Sequence, residues 1–163
     1  MIKFVADAML GKLAKWLRLL GYDVLYSAEY SDSQIIDIAR RQSRMILTSD
    51  RGLYYRAKKI GIGVTLLTLS KPVEMLATLY SKGLIELEVD PNRSRCPHCN
   101  GRLIRVEDKN MVKSRVPPGA LKTYKVFYIC ASCNQVYWEG SHWKNIRRIA
   151  DEAKLISAGI KPT

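Results

Sequence analysis

Two cysteine pairs, Cys96-Pro97-His98-Cys99 and Cys130-Ala131-Ser132-Cys133, constrain this chain more than any other feature. Each pair leaves two residues between its thiols, and two such pairs present four thiolates tetrahedrally to one zinc ion. Asn100-Gly101 follows the first pair like the tight turn of a zinc knuckle. The long stretch between Cys99 and Cys130 divides into a predicted strand over 102–107, a Pro117-Pro118-Gly119 loop and a predicted strand over 124–129. That is a zinc-ribbon hairpin with a long arm. Two disulfides or a redox dithiol are the rival readings. The N-terminus has no signal-peptide pattern, so the expected compartment is the cytoplasm, where stable disulfides are disfavoured. A redox dithiol needs only one such pair. Four thiolates close the coordination sphere, so the expected zinc is structural. His98 reads as a surface side chain between two ligands, and His142 as structural.

Upstream of the cysteines, short apolar strands alternate with helical periods. Ile2 to Ala6 is an apolar run ending on Asp7, and Met45 to Thr48 is a second one, running into Ser49-Asp50. Continuous apolar strands are those of a parallel sheet covered on both faces, and alternation with helices gives the same architecture. Leu10, Leu13, Ala14, Leu17 and Leu20 form a helical stripe stopped by Gly21. Residues 23–26 and 63–69 are further strands. Ser31 and Gln34 form a capping box that opens a helix to about Gln42, with Asp32 in its first turn. Asp50 caps a helix to Ile60, and Pro72 starts another that ends near Gly83. Residues 84–89 alternate apolar and acidic, as an edge strand does. Asp90 to Ser94 is rich in turn residues. The expected organisation is therefore an α/β domain over 1–90, a zinc ribbon over 94–140, and an amphipathic helix and tail over 141–163.

Asp7, Asp32 and Asp50 each have a capping explanation. On a parallel sheet they also fall where strands or helices present ligands, at the carboxyl ends of the strands. Together they could hold a hard divalent cation. Lys12, one turn from Asp7, reads as a solvated lysine or a phosphate contact.

The net charge of +12 is concentrated in the C-terminal part. Such an excess favours a polyanionic partner, most simply nucleic acid, over a merely solvated surface. In the hairpin arm, Lys109, Lys113, Arg115, Lys122 and Lys125 are interleaved with Tyr124, Phe127 and Tyr128. Cations beside aromatic rings are how single-stranded RNA is often gripped, although alternate aromatics in a hairpin are also ordinary core. No apolar run approaches the ~20 residues that span a bilayer, so no membrane partner is expected.

The stretch Phe4-Val5-Ala6-Asp7-Ala8-Met9-Leu10-Gly11-Lys12-Leu13-Ala14, with Trp16-Leu17-Arg18 and Leu20-Gly21-Tyr22-Asp23, resembles the Mut-seven C-terminal family of PIN-like ribonucleases. Asp32 with Ile35, Ile36 and Ala39, then Ile46 to Arg51, and the paired cysteines extend the likeness to about Trp143. The resemblance implies a PIN-like α/β domain with a zinc ribbon and metal-dependent cleavage of RNA. It implies that Asp7, Asp32 and Asp50 hold magnesium or manganese, with Thr48 orienting the site; for such a nuclease Lys12 and Arg51 are the candidate phosphate contacts. The Glu that typical PIN nucleases add has no counterpart unless Glu29 serves. Pairing a PIN domain with a zinc ribbon also resembles a small-subunit ribosomal RNA maturation nuclease, which makes ribosomal RNA or the ribosome an expected partner. The alternative is a non-catalytic RNA- or ribosome-binding protein on the same fold.

Overall fold

The computed structural model describes residues 1–68 and 71–159. Four strands, β1 (Phe4–Ala6), β2 (Val24–Tyr26), β3 (Met45–Thr48) and β4 (Val64–Leu66), form an all-parallel sheet in the order β2-β1-β3-β4. Each connection runs through a helix: α1 (Gly11–Leu19), α2 (Asp32–Gln42) and α3 (Arg51–Lys59). Phe4, Ala6, Val24 and Leu47 point to one face, where they meet α1, α4 (Pro72–Ser81) and the last helix. Val5 and Ile46, one residue out of step, point to the other face and meet Ile35, Ile36 and Ala39 of α2 and Leu53 and Ala57 of α3. The expected parallel sheet flanked by helices is therefore present. Leu69, the end of the strand predicted over 63–69, lies outside the described residues, as do 160–163 of the tail.

The capping signals translate into hydrogen bonds. Ser31 Oγ accepts from the Gln34 N–H and the Gln34 side chain accepts from the Ser31 N–H, closing the capping box of α2. Asp50 Oδ1 accepts from Gly52 and Leu53 N–H and starts α3. Gly21 turns the chain after α1 with φ +97°, and a Cβ there would stand 3.0 Å from the Arg93 carbonyl oxygen. Only glycine tolerates both conditions without strain.

Beyond residue 90 a second, antiparallel sheet has the order β5-β6-β7, made of β5 (Leu103–Val106), β6 (Phe127–Cys130) and β7 (Val136–Tyr137). The final helix, which we number α6, spans Ser141–Ser157 and lays Trp143, Ile146, Ala150 and Ala153 on α4 and α1. The apolar core of the parallel sheet is thus completed by α6.

Three sequence expectations are corrected here. Residues 84–89 pair with no strand among the described residues; Ile85 and Leu87 are buried in the core, while Glu86 and Glu88 face out. An extended segment packed on helices buries alternate residues as a ladder does, so alternation alone does not separate the two. The Pro117-Pro118-Gly119 loop is instead the start of α5 (Pro118–Thr123), because proline at the first helical position is already set to helical φ. The rings of Phe127 and Tyr128 are buried and unavailable to bases: Phe127 packs with Val112, Val116 and Val136, and Tyr128 stacks on Trp143.

The first cysteine knuckle is bolted to the parallel sheet by buried polar groups. The Arg18 side chain, 5% exposed, donates through Nε and Nη2 to Val24 O and through Nη1 to Pro97 O (3.0 Å) and His98 O (3.4 Å). Asn100 donates to Asp23 Oδ1 (2.8 Å) and accepts from the Val24 N–H (3.0 Å). Burial raises the Asp23 carboxyl, but hydrogen bonds from Arg44 and Asn100 outweigh it and hold the group below the ordinary value. Arg18→Met keeps the apolar stem and strands three carbonyls, at about 1–3 kcal/mol for each that stays dry. The expected result is a lower urea midpoint with an unchanged circular dichroism spectrum; an unchanged midpoint would show that water replaces the guanidinium.

Candidate functional site

The order β2-β1-β3-β4 reverses direction at β1, since the chain leaves β1 to one side and returns to the other. In such sheets the ligand crevice opens beyond the carboxyl ends of the strands at this point. Asp7 follows β1 directly, and its N–H continues the ladder by donating to Leu47 O of β3 (2.9 Å). Thr48, the last residue of β3, is fully buried. Its hydroxyl donates to Asp7 Oδ2 (2.8 Å) and accepts from the Asp50 N–H (2.9 Å). One threonine thus ties the two acids into a single hydrogen-bonded chain across adjacent strands. Asp7 is 7% exposed, and Asp50 is exposed. Among the described residues neither Asp7 Oδ1 nor Asp50 Oδ2 accepts a hydrogen bond, so each carboxylate keeps one oxygen for a ligand.

Asp32 reaches the same edge because α2 begins there, just after β2. Its Oδ2 lies 3.8 Å from Arg56 Nη1 of α3. Lys12 and Arg51 are exposed on the first turns of α1 and α3, and Glu29 is exposed in the β2–α2 connection. The three acids share an edge but do not form a closed ligand cluster; among the described residues the one such cluster is made by the cysteines. Hard carboxylate oxygens fit magnesium or manganese in kind, and magnesium keeps several waters between itself and its protein ligands.

Cys96, Cys99, Cys130 and Cys133 place all four sulfurs within 4.8 Å of one another and are positioned to bind one metal ion. Cys96 and Cys133 sulfurs are 3.7 Å apart and those of Cys99 and Cys130 are 3.4 Å apart. A tetrahedron with Zn–S of about 2.3 Å has S···S edges of about 3.8 Å, whereas a disulfide needs about 2.05 Å. The spacing is that of a tetrahedral thiolate site. The two knuckles share a backbone turn, with Asn100 N–H donating to Cys96 O and Asn134 N–H to Cys130 O. Asn100 and Asn134 each follow the second cysteine with positive φ, 70° and 66°. Ser132 and Cys133 N–H groups point at Cys130 Sγ (3.4 and 3.5 Å). Burial pushes the Cys99 thiol up; at Cys130 it does the same but loses to these backbone donors and the neighbouring thiols, which hold that group low.

The arm between the knuckles keeps a small core of its own, with Leu121 and Tyr124 packed against Val112 and Val116. All five basic residues of the arm are exposed. Lys109 Nζ donates to Leu121 O, and Arg115 donates to Asn134 O and Met111 O, so these two also brace the arm. Lys113, Lys122 and Lys125 make no ion pair among the described residues.

A family model described as the Mut7-C RNAse domain matches residues 2–150. The chain belongs to the Mut7-C RNAse domain family. The match takes in both halves of the site, from Asp7 through the cysteines to Ala150 of α6. No curated protein and no solved structure matches the chain. No helix among the described residues is long and apolar enough to cross a membrane.

Sequence reasoning placed Gly101 in the knuckle turn but missed its close approach to the second pair, and it missed Tyr137 as a partner of the Mut7-C cysteine cluster. Tyr137 Oη is 3.0 Å from Cys96 Sγ, a contact that depends on β7, a strand too short to leave a periodic signal. A hydroxyl donating to a metal-bound thiolate orients the ligand and tunes its basicity. At Gly101 a Cβ would lie 2.6 Å from Cys130 Sγ and 2.7 Å from Ser132 Oγ. Gly101→Ala therefore displaces a ligand sulfur, and the expected result is metal affinity lowered about 10–100-fold, as for other groups that orient ligands. Competition against a coloured zinc chelator measures it; unchanged affinity would mean that the knuckle shifts as a body.

Proposed function

We propose that this Mut7-C chain is a metal-dependent endoribonuclease cleaving RNA phosphodiester bonds. The observation that carries the reading is the Asp7–Thr48–Asp50 chain at adjacent carboxyl ends of β1 and β3, in a ribonuclease domain family. Asp7, Asp32 and Asp50 would hold magnesium or manganese, which when bound lowers the pKa of a coordinated water and offsets charge on the phosphodiester. Thr48 fixes the rotamer of Asp7 and the backbone at Asp50. Lys12 and Arg51 flank the acids on the first turns of α1 and α3 and would neutralise phosphates on either side of the cut. The cysteine cluster would hold one structural zinc. Lys109, Lys113, Arg115, Lys122 and Lys125 would track the RNA backbone with salt-sensitive affinity. The cytoplasm, with ribosomal RNA or the ribosome as target, is the setting that fits this charge.

One observation favours a second reading, RNA or ribosome binding without cleavage: Asp32 faces Arg56, which competes with a cation for that carboxylate. Incubating the zinc-loaded protein with a labelled, looped RNA in manganese, in magnesium and in a chelator separates the two. Cutting that requires the added divalent ion supports the nuclease; tight, salt-sensitive binding without cutting replaces it with the second reading.

A further inference from the structure

A cavity of about 520 Å³ whose lining includes none of Asp7, Thr48 and Asp50 opens between α1, α4, the first cysteine knuckle and α6. Its size falls within the range of about 300–1,000 Å³ typical of small-ligand clefts. Trp16, half-buried on α1, Tyr137, beside the cysteine cluster, and the buried Trp143 give it aromatic walls. His98 and His142 face it from the knuckle and from α6. Lys12 and Lys15 lie at its mouth on α1; both are exposed, and neither makes an ion pair among the described residues. Among the described residues no carboxylate lines it.

We propose that this cavity is a nucleotide subsite that takes one unpaired base of the RNA, with the attached phosphate held by Lys12 and Lys15. The proposal rests on the reading of RNA as substrate and names where the strand is gripped. Flat aromatic and imidazole walls suit the face of a base, whichever base it is. A carboxylate-free mouth with two free ammonium groups suits its phosphate. The subsite also has a direction. A turn closed by the Leu10 N–H donating to Asp7 O (2.9 Å) leads from Asp7 into α1, and Lys12 lies in the first turn of that helix. A strand anchored in the cavity therefore leaves along α1 towards the acids. The subsite is composite, with walls from the parallel-sheet unit, the knuckle and α6, so neither half of the chain can form it alone.

The test uses full-length, metal-loaded protein carrying Asp7→Asn, so that the strand survives. The probe is a pentauridylate with one 4-thiouridine, compared with uridine monophosphate. Expected are photo-cross-links to peptides containing Trp16, Tyr137 or His142. Trp16→Ala should weaken pentanucleotide binding about 5- to 150-fold, the range for losing one base–aromatic stack. Lys15→Gln, a surface change safe for folding, should flatten the slope of log affinity against log salt by about 0.7. Cross-links confined to residues 109–125, with affinity unmoved by Trp16→Ala and a salt slope unmoved by Lys15→Gln, would overturn the subsite and leave RNA binding intact. Uridine monophosphate binding as tightly as the pentanucleotide would overturn the strand as occupant. No binding of the pentanucleotide would remove the RNA reading itself.

Discussion

Asp7→Asn is expected to leave the fold and RNA affinity unchanged and to lower cleavage by more than about 100-fold, the upper end of what the loss of a mere outer partner costs a metal site. The amide has the carboxylate's shape, and its oxygen can still accept from the Thr48 hydroxyl that now donates to Oδ2. What disappears is the negative charge and the free oxygen at the switch point of the sheet. Because Asp7 is nearly buried, neutralising it does not threaten stability; carrying the charge there is what needs a cation to offset it. The proper control is Asp37→Asn, which breaks an exposed i,i+4 pair with Arg41 (2.9 Å) and should change neither rate nor stability measurably. Initial rates on a labelled RNA, with binding followed in parallel, check the result. An Asp7→Asn protein that cuts at the wild-type rate would remove Asp7 from the chemistry.

Cys96→Ser has the larger effect on the molecule as a whole. Cys96 is fully buried, and its knuckle supplies the two carbonyls that receive Arg18. Losing one thiolate opens the metal site and releases Pro97 and His98, so the disturbance reaches α1. A loss of even 3 kcal/mol is a fraction of the about 10–16 kcal/mol that structural zinc supplies to small fingers. In a chain of this size it lowers the thermal midpoint by about 6–12 °C. Expected are loss of one metal ion, that of the cysteine cluster, in native mass spectrometry and the drop in midpoint. A variant that keeps the midpoint without metal would show that packing alone holds the ribbon.

The parallel sheet was legible because its signals are local. Val5 and Ile46 sit in uninterrupted apolar runs, and Ser31 and Asp50 carry the side chains that close their own helix ends. The cysteine cluster was legible because its spacing encodes the geometry. What sequence could not convey is anything decided across the chain. Ile85 and Leu87 alternate like a strand yet pack on helices, and Tyr128 looks like a base platform until Trp143 covers it. The threonine link from Asp7 to Asp50 is likewise tertiary: 41 residues separate Thr48 from Asp7, and only the pairing of β1 with β3 brings them together.

The placement of α6 has a consequence for how the molecule is made. The core that begins with Phe4 and Leu13 is closed by Trp143, Ile146, Ala150 and Ala153, with the Trp143 indole N–H held at 3.3 Å by Ser94 Oγ. A ribosome synthesises at roughly 5–20 residues per second, so the apolar faces of α1 and α4 stay uncovered for several seconds after they emerge. Nascent chains halted before Ser141 should therefore be the species that chaperones hold and that aggregate, whereas emergence of α6 closes the core.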